Sequence, residues 1–322
     1  MSNTVVFSDL LSSLESRVDS GEQLAKQSLG NLAQCIAVIC ASADAIDRDK
    51  VVRRLISTLE SNGVNSTNVV LTQLALLTSG ELGQRVNLSQ LPDISEKLRK
   101  ICLECFESSS EEIKQAAAFA MGRSAVGSMD DFLPPILSSL ESAVKQKRYL
   151  LLTVMKELIV CHQINAIDMT SSIPKILPQL VEHTTDKEDG IRAMVSECLG
   201  SLVCIKPEVI LPELCAQIEN KNKSFSPEEA KQYALMAWTV ASAIKVAIAS
   251  KPFPHLLASY LSKFTSLLKT NEFLIEEDNL NVRNAALLMV YSAVHHAPKI
   301  VAGLMPEYIL PSLYEVSFAF HL

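Results

Sequence analysis

A short phrase recurs along the chain and constrains its fold more than any other feature. A polar turn is followed by an aliphatic residue, a Lys or Arg, and then an alanine-rich apolar helix, as in residues 108–122. The same design returns in residues 184–200 and in residues 276–294. A chain that restarts the same helix at intervals is expected to fold as a solenoid, in which each repeat packs only on its neighbours.

The spacing of the restarts indicates which solenoid this is. The basic residue of the phrase, or its positional equivalent, falls at Lys26, Val70, Lys114, Arg148, Arg192, Lys231 and Arg283. The steps are 44, 44, 34, 44, 39 and 52 residues. Their mean of about 43 lies within the range of roughly 40–47 residues for HEAT and armadillo repeats, and away from about 33–34 for ankyrin and tetratricopeptide repeats. The spacing therefore predicts an all-α fold, an α-solenoid of HEAT/armadillo-type antiparallel helix pairs.

A second apolar helix precedes each restart, so that one repeat consists of a helix A, a short turn and a helix B. We expect several prolines near the starts of A helices, where a missing N–H costs little; they are Pro134, Pro174, Pro178, Pro212 and Pro306. We count seven pairs and an eighth A helix at about 298–314 without a partner. The predicted organisation is a continuous solenoid over residues 1–314 and a divergent tail at 315–322.

Composition narrows the classes of partner. The net charge of −7 weighs against a nucleic-acid partner, because phosphate contacts need a basic surface. No secretory signal opens the chain, and no run of 18 apolar residues would span a membrane. The eight cysteines lie mostly on apolar helix faces, as buried thiols do in a reducing compartment. We therefore expect a cytoplasmic and/or nuclear protein with protein partners, without a membrane, nucleic-acid or small-molecule partner.

Motifs that carry chemistry are missing from the sequence. Cys102 and Cys105 form a CxxC inside an amphipathic helix, without the second ligand pair that zinc needs, so we interpret them as structural thiols. His295 and His296 are adjacent, and point about 100° apart on a helix. The sequence has no glycine-rich phosphate loop and no nucleophile or zinc-protease motif. We expect no enzyme, no catalytic residues, no metal and no cofactor.

The candidates for partner contact lie on the B helices, which usually line the concave side of HEAT superhelices. Helix position alone selects six residues as exposed: Lys114, Gln115, Arg148, Lys156, Arg192 and Lys231. A second interpretation stays open for the restart cations, namely a ladder of side-chain bonds between neighbouring repeats. Trp238, in an apolar B helix, is expected in the core or between repeats.

Beyond the generic repeat, particular stretches look familiar. Residues 147–159, KRYLLLTVMKELI, resemble a segment of the cullin-associated and neddylation-dissociated proteins. Residues 109–137, 190–212, 278–298 and 310–314 continue the resemblance in the same order. The collinear match covers about 7–314, which is nearly the whole chain.

The resemblance implies a function. Members of that family are HEAT solenoids that curl around a cullin–RING ubiquitin ligase lacking its ubiquitin-like modifier. They promote exchange of substrate receptors, and so the assembly of such ligases, without being enzymes. This chain would correspond to a stretch of their C-terminal half, in a truncated isoform, an incomplete gene model or one half of a split protein. The alternative is another HEAT scaffold, such as an importin-β-type transport receptor or a phosphatase regulatory subunit.

Overall fold

The structure, a computed structural model, describes residues 26–62, 68–165, 168–219, 225–269 and 271–319. Within those ranges the chain forms helices and contains no strand. The odd-numbered helices match the predicted B helices: α1 (Lys26–Ala41), α3 (Val69–Gly83), α5 (Glu111–Gly127), α7 (Lys145–Asn165), α9 (Asp189–Ile205), α11 (Pro227–Ala249) and α13 (Glu276–His296).

The even-numbered helices match the A helices: α2 (Ala45–Asn62), α4 (Pro92–Cys105), α6 (Met129–Glu141), α8 (Ile173–Glu182), α10 (Pro207–Ile218), α12 (Leu257–Phe264) and α14 (Pro298–Leu304). A π-helical turn, Met305–Ile309, then joins α14 to α15 (Leu310–Ala319). The predicted all-α solenoid of helix pairs is confirmed. Six restart positions lie within the first five residues of their B helices, and Arg283 lies in the second turn of α13.

Six of the seven predicted pairs can be followed, from α2–α3 to α12–α13. The A helix of the first pair falls in residues 1–25, outside the described residues, and only its partner α1 is seen. The eighth A helix runs to Ala319, five residues further than expected. The chain divides into two compact units between Cys161 and His162, inside α7. Continuity of one solenoid over residues 1–314 stays a prediction.

The positions of the prolines differ from the prediction. Pro174 lies in the first turn of α8, as expected. Pro134 lies inside α6, Pro178 inside α8 and Pro212 inside α10, and Pro306 lies in the π turn. The A helices begin about a turn earlier than the prolines suggest, so each interior proline removes one hydrogen bond from its helix.

Polar caps and first-turn acids explain where the B helices begin. The Asn68 side chain accepts a hydrogen bond from the Leu71 N–H at 3.1 Å, and Ser110 accepts one from Ile113 at 3.3 Å. Ser226 and Glu229 form a capping box before α11. Glu111, Glu112, Glu276, Glu277 and Asp278 lie in first turns, where a carboxylate satisfies the positive end of the helix dipole.

In the first unit the B helices pack on each other in chain order. Helix α1 packs on α3, and α3 packs on α5. The A helices α2 and α4 pack on one another and against α3 and α5. Aliphatic residues fill the space between the two layers, together with Phe132, which is fully buried.

The second unit repeats this arrangement, with α9, α11 and α13 packed in order and α10 packed against α12. Phe273 stacks on Phe225 with ring centroids 4.5 Å apart and meets the Tyr233 ring edge-on at 5.2 Å. Asn279 closes the linker before α13, because its side chain accepts from the Asn271 N–H and donates to the carbonyls of Asn271 and Leu274. Within the long step of the repeat spacing, residues 271–275 thus form an ordered loop.

One helix of this unit, α11, is long and apolar enough to span a membrane by length and composition. Its apolar residues contact α9 and α13, and 61% of the most hydrophobic window is buried within the protein. Packing inside the unit accounts for this apolar character.

Glycines allow the B helices to approach closely. A Cβ on Gly122 of α5 would lie 2.5 Å from the Val154 carbonyl oxygen of α7. A Cβ on Gly200 of α9 would lie 2.6 Å from the Ala243 carbonyl oxygen of α11 and 2.7 Å from Val246 Cβ. Those distances are shorter than van der Waals contact, so a larger residue must push the two helices apart.

We therefore expect Gly200→Ala to destabilise the protein by about 1–3 kcal/mol, the usual cost of overpacking. Gly30→Ala in α1 is the matched control, because nothing lies within 4 Å of a Cβ there. An exposed helical glycine gains about 0.5–1 kcal/mol on replacement by alanine. Urea unfolding of both variants measures the difference. Equal effects at the two positions would contradict the packing argument.

Candidate protein-binding surface

The six predicted contact residues lie on B helices, and most of them lie near the helix starts. Lys114 and Gln115 lie in the early turns of α5, and both are half-buried. Lys114 Nζ lies 3.7 Å from Glu111 Oε2, and the Gln115 amide donates to Glu111 Oε1 at 2.8 Å. Both side chains are therefore bound to the acid that opens their own helix.

Arg148 and Lys156 lie on α7 and are also half-buried. The Arg148 guanidinium donates to the Ala143 carbonyl at 3.1 Å, across the turn that precedes the helix. Arg148 thereby holds the tight turn that shortens the repeat at this point. Lys156 lies two turns further along, away from the helix start.

Arg192 was selected as an exposed residue, and that expectation is wrong. Its relative exposure is 6%. The guanidinium donates to the Asp186 carbonyl at 2.8 Å and to Asp189 Oδ1 at 2.7 Å, and it lies 5.0 Å from the centre of the Trp238 ring on α11. Arg192 therefore ties the restart turn of one repeat to the next B helix. The expected position of Trp238 between repeats is confirmed by this contact.

Lys231 is exposed in the second turn of α11. Lys114 and Arg192 pair with the first-turn acid three residues before them, whereas no ion pair joins Lys231 to Glu228 at that spacing in the described part of the chain. The next acid, Glu229, is bound to the backbone and hydroxyl of Ser226 at 2.8 Å. Among the six predicted residues, Lys231 is the one that the structure leaves most open to solvent.

A ladder between repeats does exist in the first unit, and its central residue is Arg123, which the sequence analysis missed. Arg123 Nη1 donates to Glu81 Oε1 on α3 at 2.6 Å, and its Nε lies 3.5 Å from Glu157 Oε2 on α7. Arg85 also donates to Glu81, at 2.6 Å. The guanidinium of Arg123 stacks over the Phe119 ring with 4.2 Å to the centroid.

A sequence signal for this ladder was present. Glu81, Arg123 and Glu157 are separated by 42 and 34 residues, which follow the repeat steps of 44 and 34 in that part of the chain. Acidic and basic residues that alternate at the repeat spacing therefore indicate side chains that meet across stacked helices. The cations at the restarts are not the only such signal.

Cys102 and Cys105, the CxxC pair, are both buried in α4. Burial raises the pKa of the Cys105 thiol to about 11, with a smaller contribution from nearby Glu104, and it raises the pKa of Cys102 well above its usual value. A reactive redox site needs an accessible thiolate, so both side chains have the character of structural thiols.

Metal ligands do not converge in the part of the chain that the structure describes: no three side chains of His, Cys, Asp or Glu come together there. His295 and His296 are exposed and meet each other edge to face, with ring centroids 4.8 Å apart.

Two depressions lie in the second unit. One, of about 440 Å³, is lined by residues that include His162, Asp168, Lys206 and Lys251, and by none of the six predicted residues. The other, of about 150 Å³, lies beside Arg192 and Trp238 and is smaller than the roughly 300–1,000 Å³ of ordinary ligand pockets. Apart from Arg192, the predicted contact residues lie on helix surfaces.

The structure combines stacked helix pairs with mixed charges at the helix starts and side-chain bonds between neighbouring helices. These features define a class of protein, the α-solenoid of HEAT-type repeats. No family model matches the chain. The chain is 34% identical over 293 residues to cullin-associated NEDD8-dissociated protein 1 of Arabidopsis thaliana, and 33% identical over 299 residues to the Drosophila melanogaster protein of that name. It is 31% identical over 318 residues to cullin-associated NEDD8-dissociated protein 2 of Mus musculus.

These matches cover 90%, 91% and 97% of this chain, and 22%, 21% and 23% of the relatives. Over that segment the chain belongs to the family of cullin-associated NEDD8-dissociated proteins, and the resemblance inferred from the sequence is confirmed. The chain spans about a fifth of the length of the curated relatives that it matches.

The ladder predicts the effect of Arg123→Met. The change leaves the buried Glu81 carboxylate with one guanidinium instead of two, and the expected loss of stability is about 1–3 kcal/mol. Arg53→Met is the control, because Arg53 pairs with Asp49 and Asp93 at the surface, where solvent screens the interaction and little change is expected. Thermal and urea unfolding measure both variants. A small effect of Arg123→Met would show that the ladder contributes nothing to stability.

Burial also predicts thiol reactivity. The thiolate is the reactive form, and at pH 8 a thiol with a pKa of about 11 is ionised to roughly one part in a thousand. In the folded protein at pH 8 we expect N-ethylmaleimide to label the exposed Cys35 first, and Cys40, Cys102 and Cys105 only after unfolding. Mass spectrometry of timed samples identifies the labelled cysteines, and Cys35→Ser removes the fast phase. Rapid labelling of Cys102 or Cys105 in the native state would contradict a structural role.

Proposed function

We propose that this chain is a non-catalytic protein-binding scaffold whose partner is a cullin. The observation that carries the proposal is the match over at least 90% of the chain to proteins named as cullin-associated in a plant, an insect and a mammal. A stack of helix pairs supports it, because such a stack offers extended surfaces for a protein partner. On this proposal the chain needs no cofactor.

The finer proposal concerns the state of the cullin. The names of the relatives join cullin association to dissociation from NEDD8. We infer a preference for a cullin–RING ligase that lacks this ubiquitin-like modifier, and a role in receptor exchange and ligase assembly within the ubiquitination pathway. A cytoplasmic and/or nuclear location belongs to the same proposal. It is supported by the eight cysteines, which are all free thiols, because disulfides are rare in those compartments.

The chain is proposed to supply one part of the contact, since it spans about a fifth of its relatives. A further relative supports a place in the C-terminal half: the protein of Emericella nidulans named as the C-terminal part is 32% identical over 147 residues, or 46% of this chain. The importin-β-type and phosphatase alternatives have no observation in their favour, because each relative named above is cullin-associated.

Among the predicted contact residues, Lys231 is the first choice for a contact. Lys114, Gln115 and Arg148 are held by their own helix starts, and Arg192 is buried. The exposed ammonium of Lys231 can contact an acidic group of a partner without breaking a bond shown here. Lys156, half-buried on α7, stays a second prediction.

The test uses the full tagged chain with unmodified and NEDD8-modified cullin–RING complexes. We expect binding to the unmodified complex, and for Lys231→Glu an association rate about three- to tenfold lower, because reversing a charge at the rim of an interface acts mainly on encounter. Lys175→Glu is the control, since Lys175 is also exposed but lies on the A helix α8. Biolayer interferometry measures the rates.

Two outcomes would count against the proposal. A folded chain, as judged by circular dichroism, that binds neither form of the complex would exclude direct engagement by this segment. Equal weakening by Lys231→Glu and Lys175→Glu would assign the effect to net charge and remove Lys231 from the contact.

A further inference from the structure

A cavity of about 440 Å³ lies in the second unit, where three successive B helices end. Its lining includes His162 from the last turn of α7, Cys204 from the last turn of α9, and Lys206, which follows α9 directly. Lys251, two residues after α11, and Asp168, three residues after α7, also line it. The volume falls within the roughly 300–1,000 Å³ of ordinary ligand pockets, and we call this site the Lys-Pro cavity.

The two lysines of the cavity come from a dipeptide that is repeated at the ends of B helices. Lys206 and Pro207 follow α9, and Lys251 and Pro252 follow α11. The two pairs are 45 residues apart, which is close to the repeat spacing. Proline has no N–H to continue a helix, so each B helix ends before its pair. The repeat therefore places a lysine at the same end of two neighbouring helices.

Close packing of α9 on α11 brings these two helix ends together. A Cβ on Gly200 would lie 2.6 Å from the Ala243 carbonyl oxygen of α11. One turn further along, Cys204 Sγ lies 3.9 Å from the Ala247 carbonyl oxygen of α11 and 3.3 Å from the Gly200 carbonyl oxygen of its own helix. The contact between the helices thus extends as far as the cavity and fixes the distance between its walls.

The backbone of Lys206 is fixed between two helices. Its N–H donates to the Leu202 carbonyl at 2.9 Å, and its carbonyl accepts from the Ile210 N–H at 3.1 Å, so the residue ends α9 and caps α10. The Lys206 side chain is 30% exposed, and its Nζ lies 3.9 Å from Glu208 Oε1. That separation is longer than a hydrogen bond, so the ammonium group can still donate to a ligand.

The lining carries more positive than negative charge, although the chain as a whole has a net charge of −7. Lys251 is exposed, and within the described residues no ion pair engages it. Asp168 is the acid of the lining, and its Oδ1 atom accepts hydrogen bonds from the hydroxyl and the N–H of Thr170. These bonds lower the pKa of Asp168, and nearby Lys206 contributes less. One carboxylate that is already bonded does not neutralise two ammonium groups.

The depth of the cavity indicates the kind of group that enters it. His162 is 2% exposed and Ile205 is half-buried, so they form the floor and wall, whereas Lys251 and Asp168 are exposed at the rim. A carboxylate on a short aliphatic stem suits this lining, because its oxygens accept charge-assisted hydrogen bonds from the lysines while the stem contacts Ile205. A nucleic acid needs an extended basic surface, which an acidic chain does not favour.

We propose that the Lys-Pro cavity binds an acidic segment of a protein partner, with a glutamate or aspartate carboxylate held between the ammonium groups of Lys206 and Lys251. The site is distinct from the contact proposed at Lys231. Lys231 lies near the start of α11, whereas the cavity lies at the other end of that helix. The proposal does not require the partner to be a cullin.

The test measures the fluorescence polarisation of a fluorescein-labelled peptide of alternating Glu and Gly residues, titrated with the full chain. A second labelled peptide has Gln in place of each Glu. We expect the Glu peptide to bind and the Gln peptide to bind at least about tenfold more weakly, because only a carboxylate forms charge-assisted hydrogen bonds with the lysines. The affinity of the Glu peptide is expected to fall as salt is raised, since ions screen the attraction.

Lys206→Glu combined with Lys251→Glu is expected to weaken binding of the Glu peptide by about tenfold or more, because like charges then face the ligand. The matched control combines Lys187→Glu with Lys269→Glu, which changes the net charge equally. Both of these lysines are exposed and lie in the segments before α9 and α13, at the starts of B helices and not at their ends. The control is expected to bind like the unaltered chain. Circular dichroism confirms folding, and Lys206→Gln with Lys251→Gln provides a milder disruption should the Glu pair unfold.

The proposal is wrong if the folded chain does not bind the Glu peptide, or if it binds the Gln peptide equally well. Equal loss of affinity in the two double variants would assign the binding to net charge and overturn it too. Competition gives the last check: if single-stranded DNA or free glutamate displaces the labelled peptide at a lower concentration than the unlabelled Glu peptide does, the cavity is a site for phosphate groups or for a small anion instead. None of these measurements uses a cullin, so their failure leaves the proposed function standing.

Discussion

The close approach of successive B helices sets the geometry on which the rest of each unit depends. Gly122 and Gly200 let one helix touch the backbone of the next, and no side chain larger than hydrogen fits at either position without displacing its neighbour. At that distance side chains reach across: the Ser196 hydroxyl donates to the Thr239 carbonyl of the next B helix at 3.0 Å. The same proximity allows Arg123 to bond to the helices on both sides of it.

The acidic side chains at the start of each B helix determine which of the nearby cationic side chains remain exposed. An acid in the first turn stabilises the positive end of a helix dipole, and a cation three residues later lies on the same side of the helix. Lys114 and Arg192 therefore bind Glu111 and Asp189 and are withdrawn from the surface. Lys231 differs from them, because no ion pair joins it to Glu228, three residues earlier, within the described residues, while Glu229 belongs to the capping box of α11.

Much of the fold could be predicted from the sequence because its signals are local. Caps such as Ser110 and Ser226, and the apolar periodicity that follows them, place the B helices correctly. The prolines predicted the starts of the A helices wrongly. A proline at the sixth residue of α6 or α10 is tolerated, because tertiary packing there outweighs one lost hydrogen bond. Helix starts are therefore better predicted from caps than from prolines in this chain.

The candidate surface was predicted less well, because exposure depends on contacts between repeats. Spacing identifies Arg192 as a restart cation, but its burial follows from the position of Trp238, 46 residues later, over the guanidinium. The size of the side chain at a repeated position also indicates whether that face of the helix is covered. Gly122 and Gly200 lie against the next B helix, whereas Tyr291 is exposed.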